Sequence, residues 1–149
     1  MTKRGWRALL VALVAVGALA LAACGGGKDE YAADVKDIVQ PVGSKLQNLG
    51  SKLQGQGSVQ DKVADLEEAE STVNGAADDL EQLSAPEDVT DEHDEYVSTL
   101  RTLADDIGAV TQAVEDQDQA AAQEALTKLQ ETTQQVQSAE DALEQAIEE

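Results

Sequence analysis

The sequence predicts an all-α fold, an antiparallel up-down-up-down four-helix bundle behind an N-terminal targeting segment. Three observations predict it. Four stretches beyond residue 28 place aliphatic residues at steps of three and four, the spacing of one helix face. Gly55-Gln56-Gly57 and Ser84-Ala85-Pro86 punctuate those stretches, and connections this short force antiparallel neighbours. No segment alternates as a strand would. A three-helix bundle with a loose first segment is the alternative architecture.

The N-terminal segment comes first. Met1 to Arg7 is basic, Ala8 to Ala23 is Ala, Leu and Val with one Gly, and small residues precede Cys24. A basic region, an apolar region and a small-residue end make a secretory signal peptide. The apolar run is short for a spanning helix, which needs about 20 residues. Leu21-Ala22-Ala23-Cys24 resembles the bacterial lipobox. The resemblance implies that the Cys24 sulfur receives a diacylglyceryl group and that cleavage leaves Cys24 as the new N-terminus. The expected organisation is a signal peptide over 1–23, a lipidated cysteine and Gly tether over 24–28, and an acidic helical bundle over 29–149. A single cysteine forms no internal disulfide. A diacyl group meets the two-chain requirement for stable anchoring.

The first helical stretch is Asp29 to Gln54, with Tyr31, Val35, Ile38, Val42, Leu46, Leu49 and Leu53 on one face. Pro41 predicts a kink or break near Gln40. Gly43 and Gly50 recur seven apart within the repeat Gly-Ser-Lys-Leu-Gln. They predict either a close helix–helix approach or a weak, frayed helix.

The second stretch, Ser58 to Leu83, has Ser58 as a cap and Asp61 near the positive helix end. Its stripe is Val59, Val63, Leu66, Val73, Ala77 and Leu80. Glu70 falls on that stripe, with Ala69 beside it as a substitute core contact. Pro86 is placed to open the next helix.

The third stretch, Glu87 to Glu115, carries the clearest pattern. Val89, His93, Tyr96, Leu100, Leu103, Ile107, Val110 and Val114 alternate steps of four and three, a heptad seam. Glu87, Asp88, Asp91 and Glu92 crowd its start, the favourable end for acids.

The fourth stretch runs from Asp118 to the C-terminus. Its stripe is Ala122, Leu126, Leu129, Thr133, Val136, Leu143 and Ile147, with Glu140 at the remaining position. Glu148 and Glu149 sit at the unfavourable helix end and are expected to fray.

Charge narrows the function. The 149 residues carry a formal −20. Lys3, Arg4 and Arg7 leave 30 acids against seven bases for the rest, a net −23. Such a surface repels nucleic acid and anionic headgroups and attracts cations and basic proteins. Lys28, Lys36, Lys45 and Lys52 balance the four acids of the first helical stretch, so the net charge falls on the other three. That distribution suits a first helix packed among acidic partners. There is no Phe, and Trp6 lies in the targeting segment, so the core is aliphatic.

Chemistry has few footholds. His93, the sole histidine, lies on the apolar seam. Up-down topology sets it level with Asp78 and Asp79, with Glu140 and Asp141, and with Tyr31 and Asp34, which makes a His93–Glu140 contact plausible. A metal site or pH sensor would use such carboxylates. A hydrogen-bonded seam residue that fixes register is the favoured reading. The Glu-x-x-His motif of di-iron bundles is absent, since position 90 is Thr. The acid runs lack the Asp-x-[Asp/Asn]-x-[Asp/Asn]-Gly pattern of a calcium loop. The expectation is a non-enzyme with no catalytic residue, no metal and no cofactor. Its partners would be the membrane, through the lipid on Cys24, and an envelope protein. A cation- or small-ligand-binding lipoprotein is the second reading.

Past the lipobox, Leu80-x-x-Leu83-x-x-Pro86 and His93-x-x-Tyr96-Val97-x-x-Leu100-x-x-Leu103-Ala104 resemble the small helical lipoproteins of high-GC Gram-positive bacteria. The resemblance implies an extracytoplasmic, lipid-anchored location and a helical fold. It implies no activity.

Overall fold

The computed structural model describes residues 27–53 and 57–149. The expected signal peptide and lipobox, with Cys24, lie outside them. The described residues form four α-helices packed against each other and contain no strand: α1 Lys28–Leu53, α2 Val59–Glu81, α3 Thr90–Glu115 and α4 Gln119–Glu148. α3 packs extensively on both α2 and α4, and α1 packs mainly on α2. α1 and α4 touch far less.

α1 is not loose. Tyr31, Val35, Val42 and Leu49 are buried, and Ile38, Leu46 and Leu53 pack against the core from half-buried positions. Lys45 pairs with Glu68, and Lys52 reaches Asp65 at 2.5 Å, so the balanced helix is indeed pinned to an acidic neighbour. Lys28, assigned to the tether by sequence, already belongs to α1. The break expected at Pro41 does not occur, and the helix runs through it. Pro41 and Asp37 are both exposed, so the Asp37 carbonyl that loses its donor can turn to water. Gly43 and Gly50 do not mark a close approach, because a Cβ at either would meet nothing within 4 Å. Nor do they fray the helix, which continues to Leu53.

α2 opens with a full capping box. Ser58 Oγ accepts from the Asp61 amide at 3.1 Å, and the Asp61 carboxylate accepts from the Ser58 amide at 3.1 Å. Leu66, Ala69, Val73, Ala76, Ala77 and Leu80 form its buried face, with Ala69 taking the place that Glu70 could not fill. The Glu70 carboxylate instead lies against α3 at Gly108, where a Cβ would sit 3.3 Å from its Oε2.

The third helix starts later than expected. Val89 is its N-cap, and Glu87 and Asp88 lie in the preceding turn rather than in the first helical turn. Pro86 does not open the helix. Its carbonyl accepts from the Val89 amide at 3.0 Å and the Thr90 hydroxyl at 3.0 Å, which closes a turn first. The heptad seam is buried from Val89 to Val110, with Val97 and Ala104 alongside and Val114 half-buried.

α3 ends in a Schellman turn. The Asp118 amide bonds to the Ala113 carbonyl at 3.0 Å and the Gln117 amide to that of Val114 at 3.2 Å, with Gln117 at φ 54°. Asp118 also caps α4, accepting from the amides of Ala120 and Ala121 at 3.0 Å each. One short turn thus ends one helix and starts the next.

α4 departs most from expectation. Its buried residues are Ala125, Thr132, Ala139 and Leu143. Of the expected stripe, Leu143 is buried, Leu129, Val136 and Ile147 pack against the core from half-buried positions, and Leu126 is 42% exposed. The helix is turned so that the small residues Ala125, Thr132 and Ala139 join its buried face. The Thr132 hydroxyl donates to Asp106 of α3 at 2.6 Å. The helix also persists to Glu148, where the sequence reading expects fraying.

Candidate functional site

One polar cluster lies where the start of α1 meets the start of α3 and the end of α4. His93 sits in the first turn of α3 because the heptad seam passes through it, and it is 4% exposed. Tyr31, in the first turn of α1, brings its hydroxyl to 2.6 Å from His93 Nδ1. The two rings lie 5.8 Å apart, tilted by 58°.

Burial pushes the Tyr31 phenol up to about 12, and the nearby Asp94 carboxylate adds to the shift. Tyr31 is therefore protonated at neutral pH, and the direction of its hydrogen bond to Nδ1 follows the His93 tautomer.

Glu140 is half-buried on α4. A His93–Glu140 hydrogen bond or ion pair is not among the contacts of the described residues. The influence of Glu140 falls instead on Tyr96, whose phenol is raised by burial and then by Glu140 and Glu144. Glu140 is itself held above the ordinary glutamate value by burial, then by Glu144 and Asp141.

Lys28 completes the cluster. Its Nζ donates to the Ala146 carbonyl in the last turn of α4 at 3.1 Å and pairs with Asp88 at 2.6 Å. A cation at the carbonyl end of a helix is favourable. Lys28 beside Asp88 holds that carboxyl below its ordinary value. Sequence reasoning set Tyr31 level with His93 but missed Lys28, which it left in the tether. The signal available was a lone base beside the first helix, opposite the acids before α3.

A phenol at about 12 is a poor base near neutrality. The hydroxyls of Thr90, Thr99, Thr102 and Thr111 donate to carbonyls four residues earlier, away from His93. Two shallow grooves, one lined by Glu67, Glu70 and Asp78 and one by Glu95, Thr99 and Glu131, lie apart from His93 and Tyr31. Among the described residues no group of three or more His, Cys, Asp or Glu side chains is arranged to hold a metal. No described helix is long and apolar enough to cross a membrane. Compared with protein families, with characterised proteins and with solved structures, the chain matches none.

Proposed function

We propose that the chain is an extracytoplasmic lipoprotein. A diacylglyceryl group on Cys24 holds it to the membrane, and its helical bundle serves, without catalysis, to bind or space a protein partner at the cell envelope. The observation that carries this reading is the order of the N-terminal segment: basic residues, an apolar run, then Leu21-Ala22-Ala23-Cys24. Gly25, Gly26 and Gly27 separate that cysteine from α1, a tether too short to carry the bundle far from the bilayer.

An up-down-up-down course of the four helices belongs to the same proposal. Lys52 near the end of α1 meets Asp65 near the start of α2, and Arg101 of α3 meets Asp78 and Glu81 near the end of α2. Thr132 of α4 meets Asp106 of α3, and Lys28 meets Ala146. These pairings support neighbours that alternate in direction. In that course the start of α1 and the end of α4 lie together next to the membrane.

Mass spectrometry of the chain recovered from membranes tests the proposal. The expected product begins at Cys24 and carries the diacylglyceryl mass, and Cys24→Ala abolishes it. A processed chain free of acyl groups would overturn the reading.

A further inference from the structure

The chain holds two asparagines, Asn48 and Asn74, and only Asn74 is followed by glycine. Asn74 and Gly75 lie inside α2, flanked by the buried residues Val73, Ala76 and Ala77. Asn74 is half-buried and Gly75 is exposed. Both line the shallow α2 groove beside Glu70 and Asp78. Among the described residues the Asn74 side chain enters no hydrogen bond. Gly75 is the one glycine of α2 and its poorest helix former. A Cβ there would meet nothing within 4 Å, so packing does not require glycine at this position.

We propose that Asn74–Gly75 is a self-modification site, shielded while α2 is closed and converted to isoaspartate when α2 opens. The chemistry needs only water. The Gly75 backbone nitrogen attacks Cγ of the Asn74 side chain. An N–Cγ bond forms, the Cγ–Nδ2 bond breaks, and the amide proton leaves with Nδ2 as ammonia. The product is a five-membered cyclic imide. Water then adds to one of the two imide carbonyls. Opening at Cγ leaves aspartate, and opening at the Asn74 main-chain carbonyl leaves isoaspartate, whose backbone runs through Cβ and Cγ. Nothing is oxidised or reduced.

The fold sets when this happens. Glycine lacks the Cβ that hinders the attacking nitrogen, so Asn48, followed by Leu49, reacts far more slowly. In the closed helix the Gly75 amide is engaged by the carbonyl four residues earlier, and the helical ψ of Asn74 turns that nitrogen away from Cγ. Reaction therefore runs through local opening, which an interior glycine makes easier. The product also resists reclosure. Isoaspartate adds a carbon to the backbone between Val73 and Ala76, both buried, and so shifts the register of the core face. The new carboxylate stands four residues from Glu70 and four from Asp78, and like charges at that spacing repel. Loss of ammonia makes the change one-way, so it marks chains whose α2 has opened. The inference does not depend on acylation of Cys24.

Mass spectrometry of the full chain held in mildly alkaline buffer tests it. The fragment with Asn74 is expected to gain the mass difference between amide and acid about tenfold or more faster in concentrated urea than in native buffer. The Asn48 fragment is the internal control. Gly75→Ala puts a Cβ into open space and is expected to slow conversion in urea by about tenfold or more. The isoaspartate form, separated and returned to native buffer, is expected to melt below Asn74→Asp, which carries the same charge on an unbroken backbone. Equal rates with and without urea, no conversion in urea, conversion at Asn48 as fast as at Asn74, or an isoaspartate form that melts with Asn74→Asp would overturn the proposal.

Discussion

The Tyr31 hydroxyl and His93 Nδ1, 62 residues apart in sequence, lie 2.6 Å apart in the core and tie the first turn of α1 to the first turn of α3. The pair crosses the bundle, joining two helices that are not packing neighbours. Tyr31→Phe keeps the ring and leaves a buried nitrogen without its hydrogen-bond partner. The expected loss is about 1–2 kcal/mol, read from urea or thermal unfolding. In a double-mutant cycle with His93→Phe the two losses should be non-additive. Additive losses would show that the bond contributes nothing.

The same phenol makes stability depend on alkaline pH. Its folded value of about 12 exceeds the ordinary 10, so the folded state holds the proton more tightly. The contribution is complete below pH 10 and declines as pH rises toward about 12. Wild type should lose stability over that window more steeply than Tyr31→Phe when melts are compared. Parallel pH curves would contradict the assignment.

Glu140 carries the opposite opportunity. Burial, Glu144 and Asp141 raise its value, so the fold favours the protonated form. Stability from this group is present below the unfolded carboxyl value and lost as pH rises through the raised one. Glu140→Gln, neutral at every pH, should therefore raise the melting temperature at pH 7. The gain should vanish near pH 4, where the wild-type group is itself largely protonated. A variant less stable than wild type at pH 7 would point to a favourable partner for the charge.

The rotation of α4 is checked by two leucines. Leu143 is 2% exposed and Leu126 is 42% exposed. Leu143→Ala should cost about 2–4 kcal/mol, and Leu126→Ala within about 0.5 kcal/mol. Equal losses in denaturant titrations would restore the stripe that the sequence suggests.

Gln117 occupies a left-handed conformation, with φ at 54°, in the Schellman turn between α3 and α4. Glycine adopts that conformation without the Cβ clash. Gln117→Gly is expected to stabilise the protein by about 0.5–1 kcal/mol, after the added freedom of the unfolded chain is counted. A lower melting temperature would mean that the Gln117 side chain contributes something glycine cannot replace.

These leucines and that turn also show how far the sequence could be read. The α3 seam was fully legible, because a helix with neighbours on two sides buries a continuous heptad. Ser58 with Asp61 announced a helix start through the chemistry of their side chains, whereas Asp118 marked the start of the fourth stretch without being read as its cap. α4 was read only in part, with Leu129, Val136, Leu143 and Ile147 on the core but Leu126 off it, because periodicity locates an apolar face but not the angle at which the helix turns it. Ala125, Thr132 and Ala139 join the buried face through their small size, which a hydropathy pattern weighs lightly. Pro41 was misread because the cost of its missing donor depends on exposure, and exposure is decided by the other helices. At the candidate site, helix levels placed Tyr31 beside His93, whereas the choice between Tyr31 and Glu140 depended on side-chain reach. Lys28 escaped notice because its partners, Asp88 and the Ala146 carbonyl, are distant in sequence.

Lys28 also decides how the molecule bears tension. A pull on the backbone ahead of Gly27 reaches Lys28 first, and its ammonium grips the Ala146 carbonyl and Asp88. The strain passes to the far terminus of the chain and to the turn before α3 instead of peeling α1 away alone. That fastening is thereby shared among α1, α4 and the turn before α3.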